Sequence, residues 1–194
     1  MDLPAGCRWL RELHSRHFEQ MAALEESYYS PEFITPAAES QRWYETYPYT
    51  TVVAATGDEI AGFVNLFPVK QAVFDALLAG QYNDHDMTTE AVVDLSRHNG
   101  ETLEMFLSCI VVAPPFRGSG LVQALLQEAV RPYLPYLDCC NRIITDNITP
   151  AGERFSQRYG FRCIGSSTHS SRLYIQPFAD FVRKVCSAQN AARG

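Results

Sequence analysis

From Leu103 to Val112 the chain is almost continuously apolar, broken only by Glu104 and Ser108. A strand buried on both faces reads this way, because neither side needs polar residues. The run Glu101 to Val112 is therefore predicted as a central strand. Upstream, Tyr49 to Ala55 and Glu59 to Pro68 are rich in β-branched and aromatic residues, and Thr56-Gly57-Asp58 between them has the composition of a hairpin turn. Cys7 to Leu13 and Arg142 to Asp146 add shorter strands, and Arg162 to Ser166 with Arg172 to Gln176 form a closing pair.

Elsewhere the apolar spacing turns helical. Ser15 can cap a helix reaching about Tyr29, with Phe18, Met21, Ala22 and Leu24 on one face and Pro31 as its stop. Thr35-Pro36 opens a second, short helix from Ala37 to Tyr47. Gly118 to Arg131 places Leu121, Val122, Leu125, Leu126, Ala129 and Val130 on one face, and Pro132 ends it. Thr149-Pro150 starts a helix that Gly160 breaks after Tyr159, and Pro177 begins a last helix through about Cys186. Residues 70–98 read as an insertion. It holds a short helix around Val73-Phe74 and Leu77-Leu78, closed by Gly80, then the polar loop Gln81 to Met87. This order predicts an α/β fold, a mixed, strongly twisted sheet of about seven strands with helices on both faces. The 194 residues fit one domain, 1–194, with the acidic insertion at 70–98 and a loose tail at 187–194.

Composition narrows the class. The chain is 46% hydrophobic, enough for a large core, and no apolar run reaches the length of a membrane span. Its beginning, Met1-Asp2-Leu3-Pro4-Ala5-Gly6, lacks the basic and apolar blocks of a secretory signal. Six cysteines are scattered without metal-ligand spacing, which points to a reducing, cytoplasmic setting. A net charge of -6 argues against nucleic acid as a general partner. The charge is uneven. Asp75 to Glu104 carries seven acids against Arg97 alone, whereas Arg117 to the end carries ten Lys and Arg against five acids. Scattered charges of this kind read first as solvated faces of opposite sign; the sharper reading puts a phosphate-bearing cofactor on the basic half and a cationic acceptor near the acidic half. His85, between Asp84 and Asp86, has no other His or Cys near it in sequence, so no metal is expected.

The chemistry sits where the central strand ends. Ala113-Pro114-Pro115-Phe116 breaks the strand, and Arg117-Gly118-Ser119-Gly120 leads into the helix that Leu121 and Val122 begin. N–H groups at a helix start point outward with partial positive charge and cradle anions, and glycine lets a ligand approach the backbone closely. About forty residues on, a helix closes with Phe155-Ser156-Gln157-Arg158-Tyr159-Gly160-Phe161. The two segments, in this order, resemble the acetyl-CoA-binding core of the GCN5-related N-acetyltransferases. The family motif is Gln/Arg-x-x-Gly-x-Gly/Ala. Arg117, Gly118, Ser119, Gly120 and Leu121 follow it here, and Val122 stands in place of the final small residue.

The resemblance, spanning roughly Cys7 to Gln176, implies the acyl-CoA N-acyltransferase type of fold and an acetyl-CoA-dependent N-acetyltransferase. By it, the main chain of Cys109, Ile110, Val111 and Val112 pairs with the pantetheine arm, and the amides of Arg117 to Val122 hold the pyrophosphate. An amine acceptor, small molecule or peptide, attacks the thioester directly after losing a proton to a base. Glu104 is the implied base, with Glu101 its nearest alternative. Many members carry a tyrosine four residues before the glycine of Gly-Phe, as the acid that protonates the thiolate. That position is Ser156, which can hydrogen-bond the sulfur, while Tyr159 reads as core. An asparagine common in the family is replaced by Thr149, which reads as a helix cap. The competing reading is a CoA-binding sensor or scaffold of the same fold without turnover. A homodimer is compatible with the family.

Overall fold

The computed structural model describes residues 3–187; all of the expected loose tail beyond Ser187 lies outside the described residues. Seven strands form one open mixed sheet. They are β1 (Cys7–Leu10), β2 (Thr51–Thr56), β3 (Glu59–Val69), β4 (Leu103–Val112), β5 (Cys140–Asn147), β6 (Arg162–Ser166) and β7 (Arg172–Pro177), in the order β1-β2-β3-β4-β5-β7-β6. The β1–β2, β2–β3, β5–β7 and β6–β7 pairs are antiparallel, and β4–β5 is parallel. Six α-helices join them: α1 (Ser15–Glu25), α2 (Ala37–Thr46), α3 (Gln71–Leu78), α4 (Leu121–Val130), α5 (Pro150–Tyr159) and α6 (Phe178–Ser187). Contacts cluster into two compact units, and β3 and β4 each contribute to both.

The first unit comprises residues 3–66, 84–89 and 109–132. Its core joins Phe18 and Met21 of α1 to Val53, Ile60, Phe63 and Val111 of the strands. The apolar face expected of the first helix is thus the face that is buried. Its cap differs from the expectation. His14, not Ser15, is the N-cap, and the His14 N–H donates to His17 Nδ1 at 2.9 Å, so two histidines replace the usual hydroxyl and carboxylate of a capping box. The helix also stops at Glu25, four residues before Tyr29. At the hairpin, Gly57 takes φ +55, the left-handed conformation that the turn composition implies.

Gly62 marks the closest approach in this unit. A Cβ there would lie 2.9 Å from the Val111 carbonyl oxygen, 3.1 Å from Val112 Cγ2 and 3.3 Å from Leu121 Cδ2. Backbone and two packed side chains cannot all yield, so overpacking is unavoidable. Gly62→Val is expected to cost about 2 kcal/mol of stability, read as a lower urea midpoint with an unchanged slope.

The second unit comprises residues 67–83, 90–108 and 133–187. Aromatic rings dominate its interior: Phe67 meets Phe106 edge-on at 6.0 Å, Tyr133 meets Phe178 at 6.2 Å, and Phe161 meets Phe181 at 5.6 Å. The inserted segment is more ordered than its polar composition implies. Lys70 N–H donates to the Ala91 carbonyl at 2.9 Å and Val93 N–H to the Pro68 carbonyl at 3.0 Å, which ties both ends of the excursion to the end of β3. Gly80, at φ +66, closes α3 as expected, and its carbonyl accepts from both the amide and the hydroxyl of Thr168. Thr149 caps α5 by accepting from the Gly152 N–H at 3.1 Å, and Gly160 ends it at φ +83.

Candidate active site

The turn from Ala113 to Leu121 has the geometry of an anion cradle. Pro114–Phe116 is a single 3₁₀ turn, and Gly118 and Gly120 follow with φ +75 and +87. L-residues with a side chain avoid this region, so the two glycines allow the tight return into α4. Four local bonds shape the loop. The Arg117 N–H donates to Pro114 O, the Ser119 N–H and hydroxyl both donate to Phe116 O, and the Leu121 N–H reaches Ser119 Oγ at 3.4 Å. The N–H groups of Gly118, Gly120 and Val122 have no protein acceptor among the described residues. A Cβ on Gly118 would meet nothing within 4 Å, so the turn faces open space. Unpaired donors, an open approach and a helix start are what a pyrophosphate requires, and residues 117–122 fit it.

Leading into this turn, Cys109 and Val111 point to α1. Val111 joins the core with Phe18 and Met21, and the Cys109 thiol donates to Glu25 Oε1 at 2.9 Å. Ile110 and Val112 alternate with them, each half-buried. The Arg117 guanidinium lies 4.8 Å over the Tyr28 ring, a cation–π contact that steadies the turn. The Tyr28 hydroxyl is buried without a protein partner among the described residues.

Glu104 occupies a different setting from the one the resemblance implies. Its side chain is 3% exposed. One carboxylate oxygen accepts from Asn141 Nδ2 at 3.0 Å, and the other from the Arg142 N–H at 3.2 Å. The Arg142 guanidinium donates to both oxygens, and its flat face lies 4.7 Å from the centre of the Phe74 ring. This is a saturated, charge-assisted pair joining parallel neighbours β4 and β5. A carboxylate so engaged has no lone pair directed at an amine, and taking a proton would break the pair. Glu101, the alternative, is exposed just before β4 and accepts from Asn99 Nδ2 at 3.3 Å.

Ser156 also has a partner on the sheet. It is fully buried on α5, and its hydroxyl oxygen accepts from Asn147 Nδ2 at 2.6 Å. That pair ties the end of β5 to α5. Gly152 is needed beside it, because a Cβ there would stand 2.8 Å from Asn147 Oδ1. Ser156 therefore links α5 to β5 through Asn147. Tyr159 is core, its ring tilted against Phe155 with centroids 4.6 Å apart, and burial pushes its hydroxyl pKa up.

Three polar residues of this region escape a reading of the sequence alone: Arg142, Asn147 and Asp146. Arg142 and Asn147 follow from pairing between elements; only the placement of Arg142 beside Glu104 in the parallel ladder reveals its role. Burial pushes the Asp146 carboxyl above the usual carboxylate range, against the opposing pull of a hydrogen bond from Ser171 and the charge of His169. His85, which sits among acids in sequence, has Nδ1 2.7 Å from the Ile34 carbonyl oxygen.

The profile described as the acetyltransferase (GNAT) family matches residues 18–161. No curated protein sequence matches the chain. Among solved structures, NAA60 of Arabidopsis thaliana in complex with a bisubstrate analogue is similar over 88% of this chain and 97% of that one, with 16% identity and a TM-score of 0.56. The NatC complex bound to Gag peptide and CoA matches over 88% and 98%, at 13% identity and a TM-score of 0.56. An agmatine N-acetyltransferase matches over 89% and 99%, at 15% identity and a TM-score of 0.55. At such identities the structural likeness speaks for the fold. The family match covers most of the chain, from α1 through the glycine turn before α4 to Phe161, and the protein belongs to the GNAT acetyltransferase family.

Proposed function

We propose that this protein is an acetyl-CoA-dependent N-acetyltransferase that modifies a primary amine by direct attack. The observation that carries the reading is the open turn Arg117–Val122, with three unpaired N–H groups at the start of α4. Bound acetyl-CoA supplies an acyl thioester activated toward an amine nitrogen. The chain's part is to hold and to deprotonate. Amides of Gly118, Gly120 and Val122 bind the pyrophosphate, and the strand from Cys109 to Val112 lies along the expected path of the pantetheine arm. Glu104 and Ser156 keep the surrounding sheet rigid through Arg142 and Asn147. The acceptor is proposed to be a cationic small molecule or peptide amine, given the acids between Asp75 and Glu104. Among the structural neighbours, one is bound to a peptide and CoA and another is an agmatine N-acetyltransferase, and both a peptide and agmatine fall within that range.

Thiol release should be followed with acetyl-CoA and a panel of polyamines, amino acids, peptides with free N-termini and aminoglycosides. Acetylated product from at least one amine supports the reading. Tight CoA binding without transfer to any of them would instead identify a CoA sensor or scaffold.

A further inference from the structure

The polar side of α6 is laid out as a stripe. Asp180, Arg183, Lys184 and Ser187 follow helical spacing, opposite the buried Phe178, Phe181, Val182 and Val185. With Gly160 at the end of α5 and Gln176 near the end of β7, they line a surface cavity of about 270 Å³. All six residues belong to the second unit. Gln176 is the buried member of the set. It is 6% exposed, and its Nε2 is buried with no acceptor among the described residues. A buried amide donor without an acceptor is costly, and native structures keep one mainly where something else completes it. Its terminal amide turns about a soft torsion, so the N–H₂ can meet a ligand in the cavity while the β7 backbone stays paired opposite Ile143 of β5. The charge around it is positive in balance. Asp180 pairs with Arg183 and cancels one cation. The Lys184 ammonium makes no ion pair or hydrogen bond among the described residues. Gly160, at φ +83, leaves room for it, since a Cβ there would collide with Lys184 Nζ. Nor is the ammonium spent on the end of α5, where the Gln157 and Ser156 carbonyls already accept from the Gly160 and Phe161 N–H groups.

We propose that this cavity binds a small monocarboxylate, with the Lys184 ammonium as its counter-charge and the Gln176 N–H₂ donating to a carboxylate oxygen. The acid supplies the acceptor that Nε2 lacks. One uncancelled cation matches one negative charge, whereas a phosphate dianion would want a second. The volume falls below the about 300–1,000 Å³ of sites for drug-sized ligands, which selects a free acid of a few carbons over a length of peptide. The site shares no residue with the turn Arg117–Val122 and involves no group transfer, so it stands whether or not the protein acetylates an amine.

The test is a titration of the full chain with propionate, followed by nuclear magnetic resonance at the side-chain N–H₂ of Gln176. That signal is assigned by its loss in Gln176→Leu. Inorganic phosphate and the neutral isostere propionamide serve as the other probes, with ionic strength held by chloride. Propionate should shift the Gln176 signal saturably, phosphate should bind more weakly, and propionamide should leave it in place. Lys184→Met and Gln176→Leu should each weaken propionate by about 10-fold or more, the worth of a charge-assisted hydrogen bond. Stability separates this role from a structural one. Gln176→Leu exchanges an unpaired buried donor for an apolar group of similar size, so it should melt no lower than the wild type while losing the rise in melting temperature that propionate gives. No saturable shift with propionate overturns the site. So does an equal response to propionamide, tighter binding of phosphate, or unchanged propionate affinity in Lys184→Met. A lowered melting temperature of Gln176→Leu with propionate binding intact would make Gln176 a structural residue and overturn it as well.

Discussion

Gly120→Val is expected to weaken CoA binding by about 10- to 100-fold, the equivalent of about 1.4 to 2.8 kcal/mol. Gly120 holds φ +87 at the N-cap of α4. Holding a side-chain-bearing residue in the left-handed region costs roughly 1–2 kcal/mol, and a β-branched one sits at the upper end. The turn would relax toward negative φ and carry the N–H groups of Gly118, Gly120 and Val122 out of alignment. Gly118→Ala separates two causes. Its Cβ meets no protein atom, so any loss reports strain at φ +75 or crowding of the ligand itself. Calorimetry with CoA measures both variants. Affinity unchanged in Gly120→Val would remove the pyrophosphate assignment from this turn.

Arg142→Met is expected to destabilise the protein by about 3 kcal/mol. Removing the guanidinium leaves Glu104, 3% exposed, with only Asn141 Nδ2 and one backbone N–H as donors. An uncompensated buried charge is among the largest single penalties available to a point mutation. The Arg142 side chain is 37% exposed, so solvent screening keeps the figure at the low end of the buried range. Glu104→Gln in the same background should recover part of the loss, and a double-mutant cycle by urea unfolding gives the coupling. The single variant Glu104→Gln also decides between roles. A structural pair predicts lower stability with chemistry slowed only in proportion to folding. A fall of about 10²–10⁴-fold in kcat/KM at unchanged stability would make Glu104 the base that the family resemblance implies.

The elements were legible in the chain because their signals are local. Phe18 and Met21 at helical spacing, the apolar run Leu103–Val112, the caps Thr149 and Gly160, and the glycine turn after Phe116 each depend on residues within a few positions of one another. Backbone sterics and periodic burial act at that range, so they can be read without knowing what lies opposite. Boundaries were softer. The first helix stops at Glu25, and α4 starts at Leu121 because Gly118 and Gly120 are spent on the turn.

Sequence by itself therefore determined the class of fold, the order of its elements and the position of the glycine turn before α4. It could not determine which acid is engaged and which is not. Glu104 resembles a base in sequence because it interrupts an apolar strand, but its partner Arg142 is 38 residues away and meets it only through the parallel pairing of β4 and β5. Ser156 stands where the family's acid would be, but Asn147, brought close by the packing of α5 on β5, holds its hydroxyl. Asp146 carries no mark in sequence at all. Its unpaired oxygen and raised pKa come from burial at the end of a strand ladder, next to a turn more than twenty residues downstream. Charge pairing and desolvation depend on distances in space, so the protonation and availability of each carboxylate were decided only when the tertiary structure set those distances.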